Sequence, residues 1–558
     1  MRYLLWTICL AILLVVTELL SRPLLPIDET RYMSVAWEAH VSGDHLVSHL
    51  NTQTYAHKPP LLFWLINAVW YVTGLSEYAA RLVSPAIGIV CLLLTAIMAR
   101  KLWPEAISFQ RCAPMMLLSM TVWIVFCPVT MFDMLLTCST LLALLGVLQA
   151  ETGAARSGWL LAGIAMGMGI LSKGPVILVH VMPAALLAPW WSLQVRTSCL
   201  RWYAGCLTAI VIAAAIGLSW ALPSATAGGK AYSDELLFGQ TAGRMINSFA
   251  HREPFWWYLP VLPLCLTPWI LFGSVWRGIR KIRLDGSLKF LTCWAGASFV
   301  ILSMVSGKQV YYLLPAIPAF ALIIARLATA VEGPVLKRDL LFAITGTMML
   351  GTFPLIANHV PALAETRLKG LISDWYSIPL IACGAALIPL SWKRIESAVF
   401  AVGTTAVLFF VIVIIAVRPS LWAGFDLRPL AGSVASHDGP VAWYGSYHGQ
   451  LNYLGKIRHV EVPENREELA EWLRSHPDGL VVFRLSYGTT AILKKAGIDG
   501  LNSEPISSVQ AEQITKILRS DSEFPGHEWQ LTVTHLHWIR TGLPLVPMVV
   551  LRFENPPR

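Results

Sequence analysis

Runs of about 20 apolar residues recur along most of this 558-residue chain, and they constrain its fold more than any other feature. A run of that length crosses the hydrocarbon core of a bilayer as a helix, because a helix satisfies its own backbone hydrogen bonds. The composition agrees, since 56% of the residues are hydrophobic and only 13% are charged. Soluble proteins carry about 25% charged residues. The sequence therefore predicts a polytopic α-helical membrane protein.

Hydropathy predicts about thirteen membrane-spanning helices. The predicted spans start near Tyr3, Ala79, Ala113, Met134, Trp159, Val176, Tyr203, Phe255, Leu288, Tyr311, Leu340, Ser377 and Ser397. The first run follows a single arginine, as the apolar part of a cleaved signal peptide would. However, the sequence SRPLLP that follows is a poor cleavage site, and more spans come after it. We therefore interpret this run as a retained first span.

Basic residues gather in alternate loops of this arrangement, and the positive-inside rule places those loops on the cytoplasmic side. The opposite loops then face outward, and the two long ones are residues 22–78 and 223–254. The same rule accounts for the formal charge of +9, so no nucleic-acid partner is expected. We expect a multi-pass protein of the cell inner membrane whose active site lies on the outer, periplasmic face.

The composition changes near residue 425, which divides the chain into a transmembrane domain, 1–424, and a soluble domain, 425–558. Four segments of the second domain have strand patterns, GPVAWYGSY, GLVVFRLSY, WQLTVTHLHWIR and PLVPMVVLRF. PENREELAEWLRSHP and SSVQAEQITKILRS have helical patterns. The sequence therefore predicts a small α/β domain on the outer face. The ten cysteines include no CxxC pair, so neither a disulfide framework nor a thiolate zinc site is indicated.

The first outer loop begins with DETRYMSVAWEAHVSG, which predicts a helix lying in the membrane interface. Its apolar face would contain Met33, Trp37 and Val41, and Arg31 and Glu38 would lie on its wet face. Further along, HKPP predicts an extended segment that leads into the next helix.

Carboxylates, cations and tyrosines recur in the outward loops. The candidate site residues are Asp28, Glu29, Lys58, Asp133, Lys173, Arg244, Lys308, Tyr311 and Tyr312. Charges near hydrocarbon are costly, so such a set favours a functional site. Each residue also has a structural interpretation. The acids could cap helices, the lysines could extend toward water, Arg244 could be solvated, and His57 and His251 could be structural. Because the charges share one side and alternate in sign, we favour a common site.

Several segments together resemble the GT-C membrane glycosyltransferases. They are LPIDETRY, SGDHLV, KPPLLFWL, FDMLL, GILSKGP, FAHREPFWWYLPVL and SGKQVYYLLPAIPA, in that order. Within this class the chain resembles the lipid A aminoarabinose transferase and the related dolichyl-phosphate-mannose protein mannosyltransferases. The similarity runs through the chain and is strongest over the first 320 residues.

The resemblance implies a transferase that takes its sugar from a polyprenyl-phosphate donor and uses no nucleotide. It implies that Asp28 and Asp133 are the catalytic acids. Positions that grip the donor phosphate match Lys58, Arg244 and Tyr312. Supporting positions around the same cavity match Glu29, Lys173, Lys308 and Tyr311. The acceptor would be a lipid or glycan of the envelope, such as lipid A.

The chain departs from the aminoarabinose transferases at three positions. It has His57 where they have glutamate, and Gln240 and Thr241 where they have Glu-His. A metal site built on those groups would not be reproduced, so we expect no cofactor and leave divalent metal dependence open. The departure also weakens aminoarabinose as the sugar. The alternative function is a transporter or flippase for a lipid-linked or anionic substrate, whose ionisable residues should lie near mid-membrane.

Overall fold

A bundle of apolar helices makes up most of the molecule. The computed structural model describes residues 1–237, 239, 252–331, 333–360, 370–388, 393–498, 507–521, 524, 530–540 and 545–555. Nine helical segments among them are long and apolar enough to cross a bilayer: Arg2–Ser21, Glu77–Leu102, Phe132–Glu151, Ala155–Leu186, Cys199–Ala227, Gly286–Met304, Val310–Thr329, Asp339–His359 and Ile395–Ala416. The prediction of a polytopic helical protein is confirmed.

Ten of the thirteen predicted spans start within these nine segments, since Ala155–Leu186 contains two of the starts. The three other starts, near Ala113, Phe255 and Ser377, coincide with shorter helices. These are Ile107–Leu118 with Thr121–Phe126, Tyr258–Cys265 with Gly273–Ile279, and Ser377–Ala385. Prolines in and between several of these helices lack a backbone N–H and interrupt the hydrogen-bond ladder. Hydropathy measures apolar length and does not detect such interruptions.

The predicted interfacial helix is present as Asp28–Ser42, the outer-loop helix. Two acids occupy its first turn, and it ends where Gly43 adopts a left-handed φ of 76°, which suits glycine. Its predicted faces are partly wrong. The side chain of Arg31 is only 16% exposed, whereas Val41 is 41% exposed. The reason is that the helix packs between the bundle and the C-terminal domain rather than lying on a free surface.

A short hairpin follows the outer-loop helix, with strands β1 (His49–Leu50) and β2 (Gln53–Thr54). Its turn residues Asn51 and Thr52 both have positive φ, at 55° and 67°. The carboxylate of Glu38 accepts hydrogen bonds from the backbone N–H groups of both turn residues. Glu38 was predicted to face water, but it stabilises this turn instead.

The C-terminal domain contains a four-stranded sheet of β3 (Val441–Tyr444), β4 (Leu480–Arg484), β5 (Gln530–Arg540) and β6 (Leu545–Asn555). The spatial order is β3-β4-β6-β5, with β3 and β4 parallel and the other pairs antiparallel. Helices of this domain include Arg428–Ala435, Asn452–Gly455, Arg466–Ser475, Tyr487–Lys495 and Ser508–Ser520. The predicted small α/β domain is confirmed, with all four predicted strands present. Its boundary at residue 425 stays a prediction.

The C-terminal domain docks on the first outer loop through polar and aromatic contacts. Asn51 Nδ2 donates to the carbonyl of Val460 at 2.7 Å, and Val460 N donates to Asn51 Oδ1 at 2.8 Å. Asn452 Nδ2 donates to the same oxygen at 3.2 Å. The rings of Trp70 and Tyr453 stack with centroids 5.6 Å apart. The first outer loop therefore connects the bundle to the last domain of the chain.

Replacing Asn51 by alanine should loosen this docking. The change removes three hydrogen bonds from a buried amide and leaves a left-handed backbone without the side chain that tolerates it. We expect a loss of about 2–4 kcal/mol in the free energy of unfolding, measured by thermal unfolding and by protease sensitivity of the C-terminal domain. Gln53→Ala, at an exposed position of the same hairpin, is the matched control. Equal protease resistance in the two variants would contradict the prediction.

Candidate functional site

Asp28 lies in the first turn of the outer-loop helix, and its side chain is 41% exposed. Arg31 Nη2 donates to Asp28 Oδ1 at 2.5 Å, and the Tyr32 hydroxyl lies 3.4 Å from the same oxygen. These partners are three and four residues further along one helix, so the helix itself orients the carboxylate. Burial and then the negative charge of Asp28 raise the pKa of Tyr32 well above its usual value, so its phenol stays a hydrogen-bond donor.

Asp133 and Lys173 form a buried ion pair. Lys173 Nζ lies 2.6 Å from Asp133 Oδ1, and the two side chains are 13% and 3% exposed. Asp133 is in the first turn of its helix, and Lys173 ends the helix that contacts it, just before Gly174 with a φ of 74°. The ammonium also lies over the rings of Tyr312, at 4.6 Å, and Tyr311, at 5.2 Å. Lys173 thus joins a carboxylate to a pair of tyrosines.

The two predicted acids converge on that tyrosine pair. Tyr311 interacts electrostatically with both Asp28 and Asp133. Lys58 Nζ lies 5.8 Å from the ring centroid of Phe132, the residue before Asp133. We name the following residues the outer cluster: Asp28, Arg31, Lys58, Asp133, Lys173, Tyr311 and Tyr312.

Glu29 has a different position from its neighbour Asp28. Its side chain is fully buried, and its carboxylate accepts hydrogen bonds from Arg22, from Leu25 N at 2.8 Å and from Thr130 N at 2.7 Å. Arg22 also donates to Glu18 at 2.8 Å. Burial alone would raise the pKa of Glu29, but the charge and hydrogen bonds of Arg22 outweigh it and lower that pKa. Glu29 therefore ties the start of the outer-loop helix to the segment that leads into Asp133.

Lys308 makes structural contacts. Its Nζ donates to the carbonyls of Glu253, at 3.0 Å, and Val305, at 2.5 Å. These carbonyls hold the end of the helix Gly286–Met304 to the segment around residue 253. The structure does not bring Lys308 to the outer cluster by any described contact, so its predicted place at the cavity stays a prediction.

Several sequence candidates cannot be placed. Arg244, His251, Gln240 and Thr241 lie outside the described residues. His57 Nε2 lies 3.0 Å from Glu235 Oε1, and both side chains are nearly half exposed. In the described part of the chain, no three His, Cys, Asp or Glu side chains come together as metal ligands would.

A cavity of about 610 Å³ opens beside Asp28 and Tyr311. Its walls are almost entirely apolar and come from helices of the bundle, including Phe126, Phe353 and Phe410. The cavity is therefore suited to an apolar chain, and two residues of the outer cluster, Asp28 and Tyr311, lie on its wall. The sequence did not predict it, because its walls come from segments as far apart in the chain as Glu18 and Trp422.

Replacing Glu29 by glutamine should destabilise the protein strongly, because buried Arg22 loses one of its two charged partners. We expect a loss of about 3–5 kcal/mol, visible as a lower unfolding temperature and a lower folded yield. The matched control is Asp478→Asn, which breaks the exposed pair with Arg552, at side-chain exposures of 77% and 52%. That change should cost under about 1 kcal/mol. Similar unfolding temperatures for the two variants would show that the contacts of Glu29 do not stabilise the fold.

Comparison with known sequences gives matches to membrane transferases. A family model described as dolichyl-phosphate-mannose-protein mannosyltransferase matches residues 57–220. The undecaprenyl phosphate-alpha-4-amino-4-deoxy-L-arabinose arabinosyl transferase of Erwinia tasmaniensis is 28% identical over 313 residues, 55% of this chain and 56% of the relative. Transferase 2 of the same name from Proteus mirabilis is 29% identical over 329 residues, 57% and 58% of the two chains. The matched region thus spans little more than half the length of these relatives.

Comparison of structures covers nearly the whole chain. Crystal structures of ArnT from Cupriavidus metallidurans align over 98% of both chains at 18% identity. The TM-score is 0.71 for the form bound to undecaprenyl phosphate and 0.69 for the apo form. At this identity the likeness establishes the fold. This chain therefore has the fold of a GT-C membrane glycosyltransferase, and its sequence resembles the aminoarabinose transferases of that class.

Proposed function

We propose that this protein is a glycosyltransferase that moves a sugar from an undecaprenyl-phosphate-type donor to a lipid or other envelope acceptor such as lipid A. One observation carries the proposal: charged side chains of the outer cluster gather around a tyrosine pair, and two members of the cluster, Asp28 and Tyr311, line an apolar cavity. A polyprenyl-phosphate sugar has the matching chemistry, with an apolar tail, an anionic phosphate and a polar sugar. The names of the relatives support the same donor class.

In this proposal Asp28 is the catalytic base. It is the more exposed acid, and among the described residues its Oδ2 has no hydrogen-bond partner. The acceptor oxygen attacks the anomeric carbon of the sugar, and its proton passes to Asp28. The bond between that carbon and the phosphate oxygen breaks, and the lipid phosphate leaves with the electron pair.

The cations stabilise the departing phosphate. Its negative charge grows as the bond to the sugar breaks, so fixed positive charges bind the transition state more strongly than the ground state. Lys58 and Tyr312 supply contacts, and Arg244 is proposed to add a bidentate one. Asp133 acts on this group indirectly, because its ion pair holds Lys173 against the tyrosines. Asp133 is thus a positioning residue rather than a second free base.

The cavity supplies a site for the donor tail. Its volume of about 610 Å³ falls in the usual range for ligand pockets, roughly 300–1,000 Å³. A polyprenyl chain enters such a cavity from the bilayer, so the tail is held by close packing against the apolar walls rather than by leaving water. Binding of the tail thus delivers the phosphate to the outer cluster.

The charge pattern supports an outer location for the site. Lys101 Nζ lies 3.4 Å from Thr152 Oγ1, next to the end of the helix that begins at Phe132. The basic loop around Lys101 is therefore at the opposite end of that helix from Asp133. Since basic loops favour the cytoplasm, we propose that the outer cluster and the C-terminal domain lie on the periplasmic face of the inner membrane.

A transporter or flippase is the weaker candidate. Its ionisable residues should line a path near mid-membrane, often where helices are broken. Here the cluster lies at helix ends, beside a domain that covers the first outer loop. The arrangement and the relatives both favour the transferase.

The test of the function is transfer by the purified full-length protein. Undecaprenyl-phosphate aminoarabinose, and then other undecaprenyl-phosphate sugars, are supplied with lipid A as the acceptor, and product is followed by mass spectrometry. We expect a glycosylated acceptor and free undecaprenyl phosphate. Folded protein that transfers none of these sugars would contradict the proposal.

Asp28→Asn should reduce turnover by about 10²–10⁴-fold, because the amide cannot accept the proton. The unfolding temperature should change little, since the side chain is partly exposed and its hydrogen bonds to described residues stay within its own helix. Steady-state transfer kinetics and thermal unfolding are measured on the same preparation. Near-normal turnover would remove Asp28 from the mechanism.

Lys58→Ala should reduce turnover by about a hundredfold or more, because it removes a charge that stabilises the departing phosphate. Lys230→Ala is the matched control, at an exposed position in the segment after Cys199–Ala227. If Lys58 only extends toward the lipid surface, both variants will keep near-normal kinetics.

A further inference from the structure

The C-terminal domain contacts the same helix that bears Asp28. Ser34 Oγ donates to the carbonyl of Gly449 at 2.6 Å, and Tyr453 N donates to Ser34 Oγ at 3.1 Å. Ser34 is fully buried by these contacts. Arg31 lies three residues before Ser34 and three after Asp28, so it neighbours each of them on the helix surface. Docking at Ser34 therefore brings the loop around Gly449 next to Arg31, which itself hydrogen-bonds Asp28.

His448, the residue before Gly449, lies in that loop. Its imidazole is close enough to interact electrostatically with both Arg31 and Asp28. The loop is held in place on both sides of Gly449, because His448 N donates to Gln450 Oε1 at 2.6 Å. No pattern in the sequence linked His448 to the site, since it follows a strand of a domain more than 400 residues further along the chain.

The environment of His448 favours a neutral ring. Burial lowers the pKa of His448, the charge of Arg31 lowers it further, and Asp28 acts in the opposite direction with a smaller effect. The lowered pKa leaves the ring neutral at pH 7, with one nitrogen that donates a hydrogen bond and one that accepts. A half-buried neutral imidazole near a partly exposed carboxylate can bind a hydroxyl group as a hydrogen-bond donor or acceptor.

His448 and the phosphate-binding groups reach Asp28 from different parts of the protein. Tyr32 packs on Phe132 in the bundle, with ring centroids 5.0 Å apart, whereas Ser34 contacts the C-terminal domain. The outer-loop helix thus separates the two. Lys58 and Lys173 lie on the bundle side of this helix. If they bind the donor phosphate, the acceptor has the side next to the C-terminal domain.

We propose that His448 is an acceptor-binding residue, which hydrogen-bonds a polar, hydroxyl-bearing acceptor and positions it for Asp28. This inference rests on the proposed function and extends it by giving the C-terminal domain a part in the site. The proton of the acceptor is assigned to Asp28, as above, and not to His448. The histidine fixes the acceptor while the bundle fixes the donor.

The test is a comparison of Michaelis constants in the full-length protein, with lipid A as the acceptor and an undecaprenyl-phosphate sugar as the donor. His448→Ala should raise the KM for lipid A about threefold to tenfold, the effect of losing one neutral hydrogen bond. The KM for the donor, the kcat and the Kd for undecaprenyl phosphate should stay within about twofold of wild type. His476→Ala is the matched control, since in the described part of the chain the ring of this histidine contacts its own helix and adjoining residues of the same domain.

Two further variants separate hydrogen bonding from packing. Asparagine places a polar nitrogen near the Nδ1 position, and glutamine places one near the Nε2 position, so one of His448→Asn and His448→Gln should restore the wild-type KM for lipid A. If the alanine variant does not fold, these two carry the test, and one of them should show the raised KM. An unchanged acceptor KM, a loss confined to kcat, an equal rise in donor KM, or rescue by neither variant would each overturn the inference.

The failure of this inference is distinguishable from the failure of the proposed function. If wild-type protein transfers no sugar, both fall together. If wild-type protein transfers sugar and His448→Ala has normal acceptor kinetics, only the role of His448 falls.

Discussion

The buried carboxylate of Glu29 holds three segments of the chain together. They are the end of the first helix at Arg22, the start of the outer-loop helix, and the loop at Thr130 just before the helix of Asp133. A buried ion pair gives little net stability compared with apolar packing, but it is costly to break. Its effect here is geometric. Asp28 is adjacent to Glu29 in sequence, and Asp133 follows Thr130 by three residues. The fully buried side chain of Glu29 therefore fixes the positions of Asp28 and Asp133.

Asp28 and Asp133 look equivalent in the sequence, but their environments in the structure differ. Asp133 is 3% exposed and forms an ion pair with Lys173, whereas Asp28 is 41% exposed and, among the described residues, hydrogen-bonds within its own helix. A carboxylate held in a buried ion pair orients the cation beside it, whereas a partly exposed carboxylate is accessible to a proton. The difference arises from the position of each residue, since Asp133 enters the bundle core with its helix and Asp28 begins a helix at the edge of the bundle.

The bundle, the C-terminal sheet and most of the outer cluster could be predicted from the sequence, because apolar length, strand alternation and charges near hydrocarbon are local signals. Glu29 shows the limit of that approach. Adjacent residues in a helix point about 100° apart, so Asp28 points toward the outer cluster, whereas Glu29 points into the protein toward Arg22. Arg31 was placed wrongly because the C-terminal domain that packs on its helix lies far outside the motif. Lys308 has one partner, the carbonyl of Glu253, that also lies outside its motif. His448 could not be found at all, because its neighbours are about 400 residues away.

The hydrogen bonds between Asn51 and Val460 join positions 409 residues apart in the chain. Contacts of such long range form late in folding, because the intervening chain must first be ordered. The loop that carries Asp28 is made early in synthesis, but the domain that covers it is made last. During that interval the C-terminal domain does not yet cover the outer-loop helix. Synthesis thus imposes an order in which the bundle and its apolar cavity precede the contacts that the C-terminal domain makes with the helix of Asp28.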